Sequence, residues 1–99
     1  MKFFLCKFIP PREDFLTTMS VDEAALMQQH ADYLNDLLAK GLIVAHGPVL
    51  DPTGSYGLSL YQITDEEDVT TFTADDPIIK SGIGHYEHLQ MPHLAARGC

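Results

Sequence analysis

Tryptophan is absent from the 99 residues, cysteine occurs twice, and cations are scarce. Six Lys and Arg stand against 14 Asp and Glu, a formal net charge of -8. So acidic a chain is unsuited to tracking nucleic-acid phosphates or lying on an anionic membrane. No apolar run exceeds the length of Phe3-Phe4-Leu5-Cys6, far short of the roughly 20 residues that span a bilayer. There is no GxGxxG, no P-loop and no GxSxG, so neither a phosphate cradle nor a serine elbow is indicated. Cys6 lies in a strand-like stretch and Cys99 is the last residue. A bridge between them ties a core strand to a fraying end, so two free thiols in a reducing compartment are expected. Met1-Lys2 ahead of the apolar run imitates the start of a secretion signal. Lys7 interrupts it, and Pro10-Pro11-Arg12-Glu13 follows where a small-residue cleavage site belongs, which points to the cytoplasm.

What is present is ordinary globular material, 45% apolar with four Tyr and five Phe. The length suits one domain over residues 1–99, with a core of 1–91 and a tail of 92–99. Residues 2–9 alternate Phe3, Leu5, Ile9 with Phe4, Cys6, Phe8. Such a strand is apolar on both faces and needs cover on both. Pro10-Pro11 ends it, and a polar loop runs to about Met19. Ser20-Val21-Asp22-Glu23 has the capping-box form and starts a helix to about Lys40, with Gly41 as its C′ residue. Met27, Ala31, Leu34, Leu37 and Leu38 form its apolar stripe. His30 lies on that stripe.

Residues 42–45 read as a second strand, ending near His46-Gly47-Pro48. A loop with Asp51-Pro52-Thr53-Gly54 joins it to a third strand, 57–63, with Leu58 and Leu60 on one face and Ser59 and Tyr61 on the other. Thr64-Asp65-Glu66-Glu67 repeats the capping-box form and begins a second helix, ending at about Ala74. Asp75-Asp76-Pro77 stops it, since a residue before proline disfavours helical angles. Residues 78–82 hold one further turn, and 83–89 form the fourth strand. The order βαββαβ closes as a ferredoxin-like α+β fold, an antiparallel four-stranded sheet with two helices on one face. The other face has no helix to cover it. A small domain with that exposed face calls for a homodimer through sheet faces.

His30 is the first candidate for chemistry. Either it fills a helix–sheet gap with its nitrogens satisfied, or it acts as a general acid/base. An acid/base imidazole needs a carboxylate to set its tautomer, and Asp76, turning inward ahead of Pro77, can reach the middle of the first helix. Asp75 and Asp76 otherwise only terminate the second helix. His46 lines whatever cleft the sheet edge forms, or is a strand-end residue. His85-Tyr86-Glu87-His88 invites a metal reading through His46, His85 and His88. Residues three apart on a strand point to opposite faces, however, so no metal site is assigned.

The pieces Gln28-Gln29-His30-Ala31-Asp32-Tyr33-Leu34, Gly41-Leu42-Ile43, Gly47-Pro48, Asp51, Gly57, Asp75-Asp76-Pro77 and Tyr86-Glu87 together resemble the YCII-related (YciI-like) domain family over nearly the full length. The resemblance implies a dimeric α/β barrel built from ferredoxin-like chains. It also implies a His–Asp pair in a cleft, onto which His30 and Asp76 map as catalytic residues, with His46, Gly47 and Pro48 on the substrate side. His46 departs from the family pattern, which has a small residue there, and leaves both His46 and His30 open as the titrating group.

The expected function is that of a cofactor-free acid/base enzyme of lyase or isomerase type, working on a small organic molecule such as a ring-derived one. The alternative is a non-catalytic small-molecule-binding or dimerisation module. Neither nucleic acid nor membrane is expected as a partner.

Overall fold

The computed structural model describes residues 1–97; the expectation for the Cys99 thiol lies outside them. Eight elements follow in order: β1 (Lys2–Ile9), α1 (Phe15–Thr18), α2 (Val21–Ala39), β2 (Ile43–Val49), β3 (Tyr56–Ile63), α3 (Val69–Ala74), α4 (Pro77–Lys80) and β4 (His85–Met91). The strands pair antiparallel in the order β2-β3-β1-β4. This is the ferredoxin-like α+β arrangement, with the second helical crossover divided into α3 and α4.

Strand alternation assigns the two faces. Phe4, Cys6 and Phe8 of β1, Ser59 and Tyr61 of β3, and Tyr86 and His88 of β4 share the helix-covered side. The core there is Cys6, Leu34, Leu37, Ile43, Tyr61, Ile63 and Val69. On the other side lie Phe3, Leu5, Ile9, Leu58, Leu60, Leu89 and Met91. Leu89 is 53% exposed.

The first capping box forms as expected: the Glu23 amide donates to Ser20 Oγ at 3.1 Å, and the Ser20 amide donates to Glu23 Oε1 at 2.9 Å. Arg12 adds a bidentate pair, Nη2 to Glu23 Oε1 at 2.7 Å and Nη1 to Glu23 Oε2 at 2.9 Å, which ties the β1–α2 connection to the helix start.

Several sequence expectations are corrected. The loop before α2 holds the short helix α1, with Phe15 buried. Leu38 leaves the apolar stripe and is 41% exposed. The Thr64 box closes only a turn, the Thr64 amide donating to Glu67 Oε1 at 2.8 Å. The helix begins later, where Asp68 accepts from the Thr70 amide at 3.0 Å. β2 continues through His46-Gly47-Pro48 to Val49, tolerating Pro48 because it is an edge strand that needs no donor on its outer side. β4 starts two residues later than expected, after Gly84 at φ 71. A Cβ at Gly84 meets the Ile9 carbonyl oxygen at 2.5 Å and the Phe8 ring at 2.8 Å, so only glycine lets the chain enter β4 beside β1.

Candidate active site

His30 sits on the sheet-facing side of α2, 6% exposed. Asp76 is fully buried and caps α4, its Oδ1 accepting from the Ile78 amide at 3.1 Å. Extended backbone at Asp76 (φ -61, ψ 127) ahead of Pro77 turns the carboxylate inward. α2 packs along α4, and the two side chains meet: His30 Nδ1 lies 2.6 Å from Asp76 Oδ2. The same oxygen accepts the Tyr86 hydroxyl at 2.7 Å. Three donors from α2, α4 and β4 thus converge on one carboxylate. Burial, then the charge and hydrogen bond of Asp76, push the Tyr86 hydroxyl far above its usual pKa and keep it a donor.

With Nδ1–H given to the carboxylate, Nε2 of His30 carries the lone pair. It makes no hydrogen bond among the described residues, and His30 lines a cavity of about 360 Å³. The Phe8 ring, tilted 39° with its centroid 5.2 Å away, steadies the imidazole, and Tyr86 backs Phe8 at 5.7 Å.

The cavity exists because the residues beneath α2 are small. Gly57 and Ser59 occupy successive inward positions of β3, and Ala31 lies above them on α2. A Cβ at Gly57 sits 3.3 Å from Phe8 Cβ. Met27, Leu34 and Leu16 supply hydrocarbon walls. Among the described residues no Lys, Arg, Asp or Glu lines the space, so it suits a neutral or weakly acidic, largely apolar molecule.

His46, Gly47 and Pro48 of β2 all line the same cavity, so the sequence-derived residues gather at one place. His46 lies mid-strand opposite Ser59 and donates Nε2–H to Asn35 Oδ1 at 2.8 Å. Burial, and secondarily the nearby His30, lower its pKa. The imidazoles of His30 and His46 therefore both face an apolar space. His85 lies on the open face and His88 on the covered one, where its Nε2 is 2.9 Å from Thr73 Oγ1. Among the described residues no three His, Cys, Asp or Glu side chains are grouped to hold a metal. Sequence reasoning missed Phe8 and Ser59 as site residues, and the hydroxyl of Tyr86 as the second donor to Asp76. The inward alternation of β3, small at 57 and 59, was the one available signal for Ser59.

The chain matches the sequence profile of the YCII-related domain over residues 2–92. No curated protein matches it. Among solved structures it is similar to the 5-chloro-2-hydroxyhydroquinone dehydrochlorinase of Burkholderia phenoliruptrix, solved in complex with 2,5-dihydroxybenzoquinone. The TM-score is 0.66 at 17% identity, over 96% of this chain and 96% of that one. At that identity the likeness is one of fold.

Proposed function

The chain belongs to the YCII-related domain family, and on that footing we propose that it is a small cytoplasmic acid/base enzyme of lyase or isomerase type. Its substrate is a small, ring-derived organic molecule held against His46, Gly47 and Pro48. His30 Nε2 accepts a proton from a carbon or hydroxyl made acidic by a neighbouring carbonyl. Asp76 fixes the tautomer and stabilises the imidazolium that forms. No cofactor enters this step.

The observation that carries the reading is the 2.6 Å contact between His30 Nδ1 and Asp76 Oδ2, with the other ring nitrogen left to a charge-free cavity. The fold neighbour, a dehydrochlorinase that binds a dihydroxyquinone, supports the choice of oxygenated rings as substrates. Replacing His30 by Gln or Ala and assaying lactones and chlorinated hydroxyaromatics tests it. The variant loses on the order of 10²–10⁴-fold in rate; undiminished turnover of a substrate that the wild type converts removes His30 from the chemistry.

The burial of the pair favours a second reading, a binding or dimerisation module in which His30 and Asp76 are a structural hydrogen bond. NMR titration separates the two. A His30 ring that titrates and responds to added ligand fits catalysis, and one silent to both fits the structural role.

We also propose that a second copy covers the open sheet face. β3 directs the half-buried Leu58 and Leu60 outward there, in reach of exposed Leu89 across β1, and apolar surface gathered on one face of a small domain is a mark of an interface.

A further inference from the structure

We propose that Ser59 is a ligand-recognising hydroxyl, which binds an oxygen substituent of the ring held beneath His30. The inference rests on the ring-substrate reading above and adds the residue that reads the ring's oxygen pattern. Ser59 is 1% exposed, and its Oγ has no hydrogen-bond partner among the described residues. Buried hydroxyls are normally satisfied, and one that is not invites an explanation. Ser59 lines the cavity. It lies in one cross-strand row with His46 on β2 and Cys6 on β1. Its neighbours in that row do not compete for it: His46 gives its Nε2–H to Asn35, and burial raises the Cys6 thiol to about 12, which leaves it a weak, neutral group.

A hydroxyl both donates and accepts, and rotation about χ1 redirects it without moving the strand. Ser59 therefore suits a phenolic hydroxyl or a quinone carbonyl equally. Its place on the sheet floor, across the cavity from α2, sets the oxygen it recognises on the opposite side of the ring from His30.

Tyr61 supplies an internal control. Its hydroxyl is also buried and unpartnered, and it does not line the cavity. A generic effect of deleting an unsatisfied hydroxyl appears in both Ser59→Ala and Tyr61→Phe; an effect on ligand binding appears only in the first.

The experiment is an NMR titration of wild type, Ser59→Ala, Ser59→Thr and Tyr61→Phe with 2,5-dihydroxybenzoquinone, hydroquinone and phenol, alongside thermal melts without ligand. Ser59→Ala weakens binding of the best ligand by roughly tenfold, the scale of one hydrogen bond, and narrows the preference for hydroquinone over phenol. Its ligand-free melting temperature does not fall. Tyr61→Phe binds as the wild type does, and Ser59→Thr, which keeps the hydroxyl, retains the preference. Unchanged affinity and preference in Ser59→Ala overturn the role of Ser59 alone. Wild type that binds none of the three rings overturns the ring-substrate reading, and with it the partner assigned to Ser59.

Discussion

The two faces of the sheet share hydrocarbon more evenly than is usual in a small α+β domain. The helix-covered face, where hydrocarbon is normally concentrated, carries Gly57, Ser59, His46 and His88 among its inward positions. The open face, normally the polar one, carries Phe3, Leu5, Ile9, Leu58, Leu60, Leu89 and Met91 beside Lys7, Gln62, His85 and Glu87. The covered side is built around a cavity and the His30–Asp76 pair, so it forgoes packing that a monomer of this size needs. The open side is where that stability is recovered, through the proposed second copy. On the reading proposed above, one face serves chemistry and the other association, and they should fail separately.

Leu60→Glu tests that separation with the largest expected effect. A carboxylate at the centre of an apolar interface is left desolvated and unpaired, at a cost of about 3–5 kcal/mol. Wild type should sediment as a dimer and the variant as a monomer, with His30 and Asp76 untouched. A wild type that is monomeric at micromolar concentration by light scattering ends the two-face account.

Asp76→Asn attacks the covered face instead. The amide keeps an acceptor for the Ile78 N–H, but it cannot satisfy both His30 Nδ1–H and the Tyr86 hydroxyl, now given to Oδ2. Leaving buried donors unmet costs about 1–3 kcal/mol, and proton-transfer activity should fall, by no more than in a His30 variant. Denaturant unfolding and turnover check the two parts, while the dimer persists. An Asn variant of full stability and rate contradicts the role of the carboxylate.

Much of this arrangement was legible in the sequence. The both-faces-apolar pattern of residues 2–9, the Ser20–Glu23 box and the βαββαβ order all carry local signals, and His30 on its ridge and Asp76 ahead of Pro77 follow from helical and proline geometry. The Thr64 box misled because the same side-chain geometry closes an isolated turn; Val69 docks in the core, and the helix starts where that packing holds it, at the Asp68 cap. β2 outran its expected end because Pro48 is harmless on an edge, and edge position is a property of strand order. Ser59 stayed hidden because a lone serine in a strand looks like a solvent-facing residue until the register puts it under α2.

Gly57→Ala gives a smaller, sharper effect on the covered face. Its methyl lies 3.3 Å from Phe8 Cβ, on rigid backbone that gives only a few tenths of an ångström. Strain of about 1 kcal/mol follows, and the cavity floor rises between Phe8 and Pro48. Ring ligands should bind several-fold more weakly with sedimentation unchanged. Affinity equal to wild type means that the ligand sits elsewhere than on the sheet floor.

The smallest effect is in pH. His46 and His88 both have pKa values lowered in the fold, chiefly by burial, with Asp68 partly opposing the shift at His88. Below about 6.5, the ordinary histidine value, the unfolded chain takes up protons that the folded chain still refuses. Unfolding then binds protons, so stability falls as pH drops from near 6.5 toward each folded-state pKa, and levels off below it. His46→Gln should flatten part of that slope, by a few tenths of a kcal/mol at most given the partial exposure of the ring. Both histidines lie on the covered face, so His88→Gln should flatten a further part of the slope. Urea melts of the three proteins between pH 7 and pH 5 measure this. A slope unchanged in both variants removes the titration from the covered face.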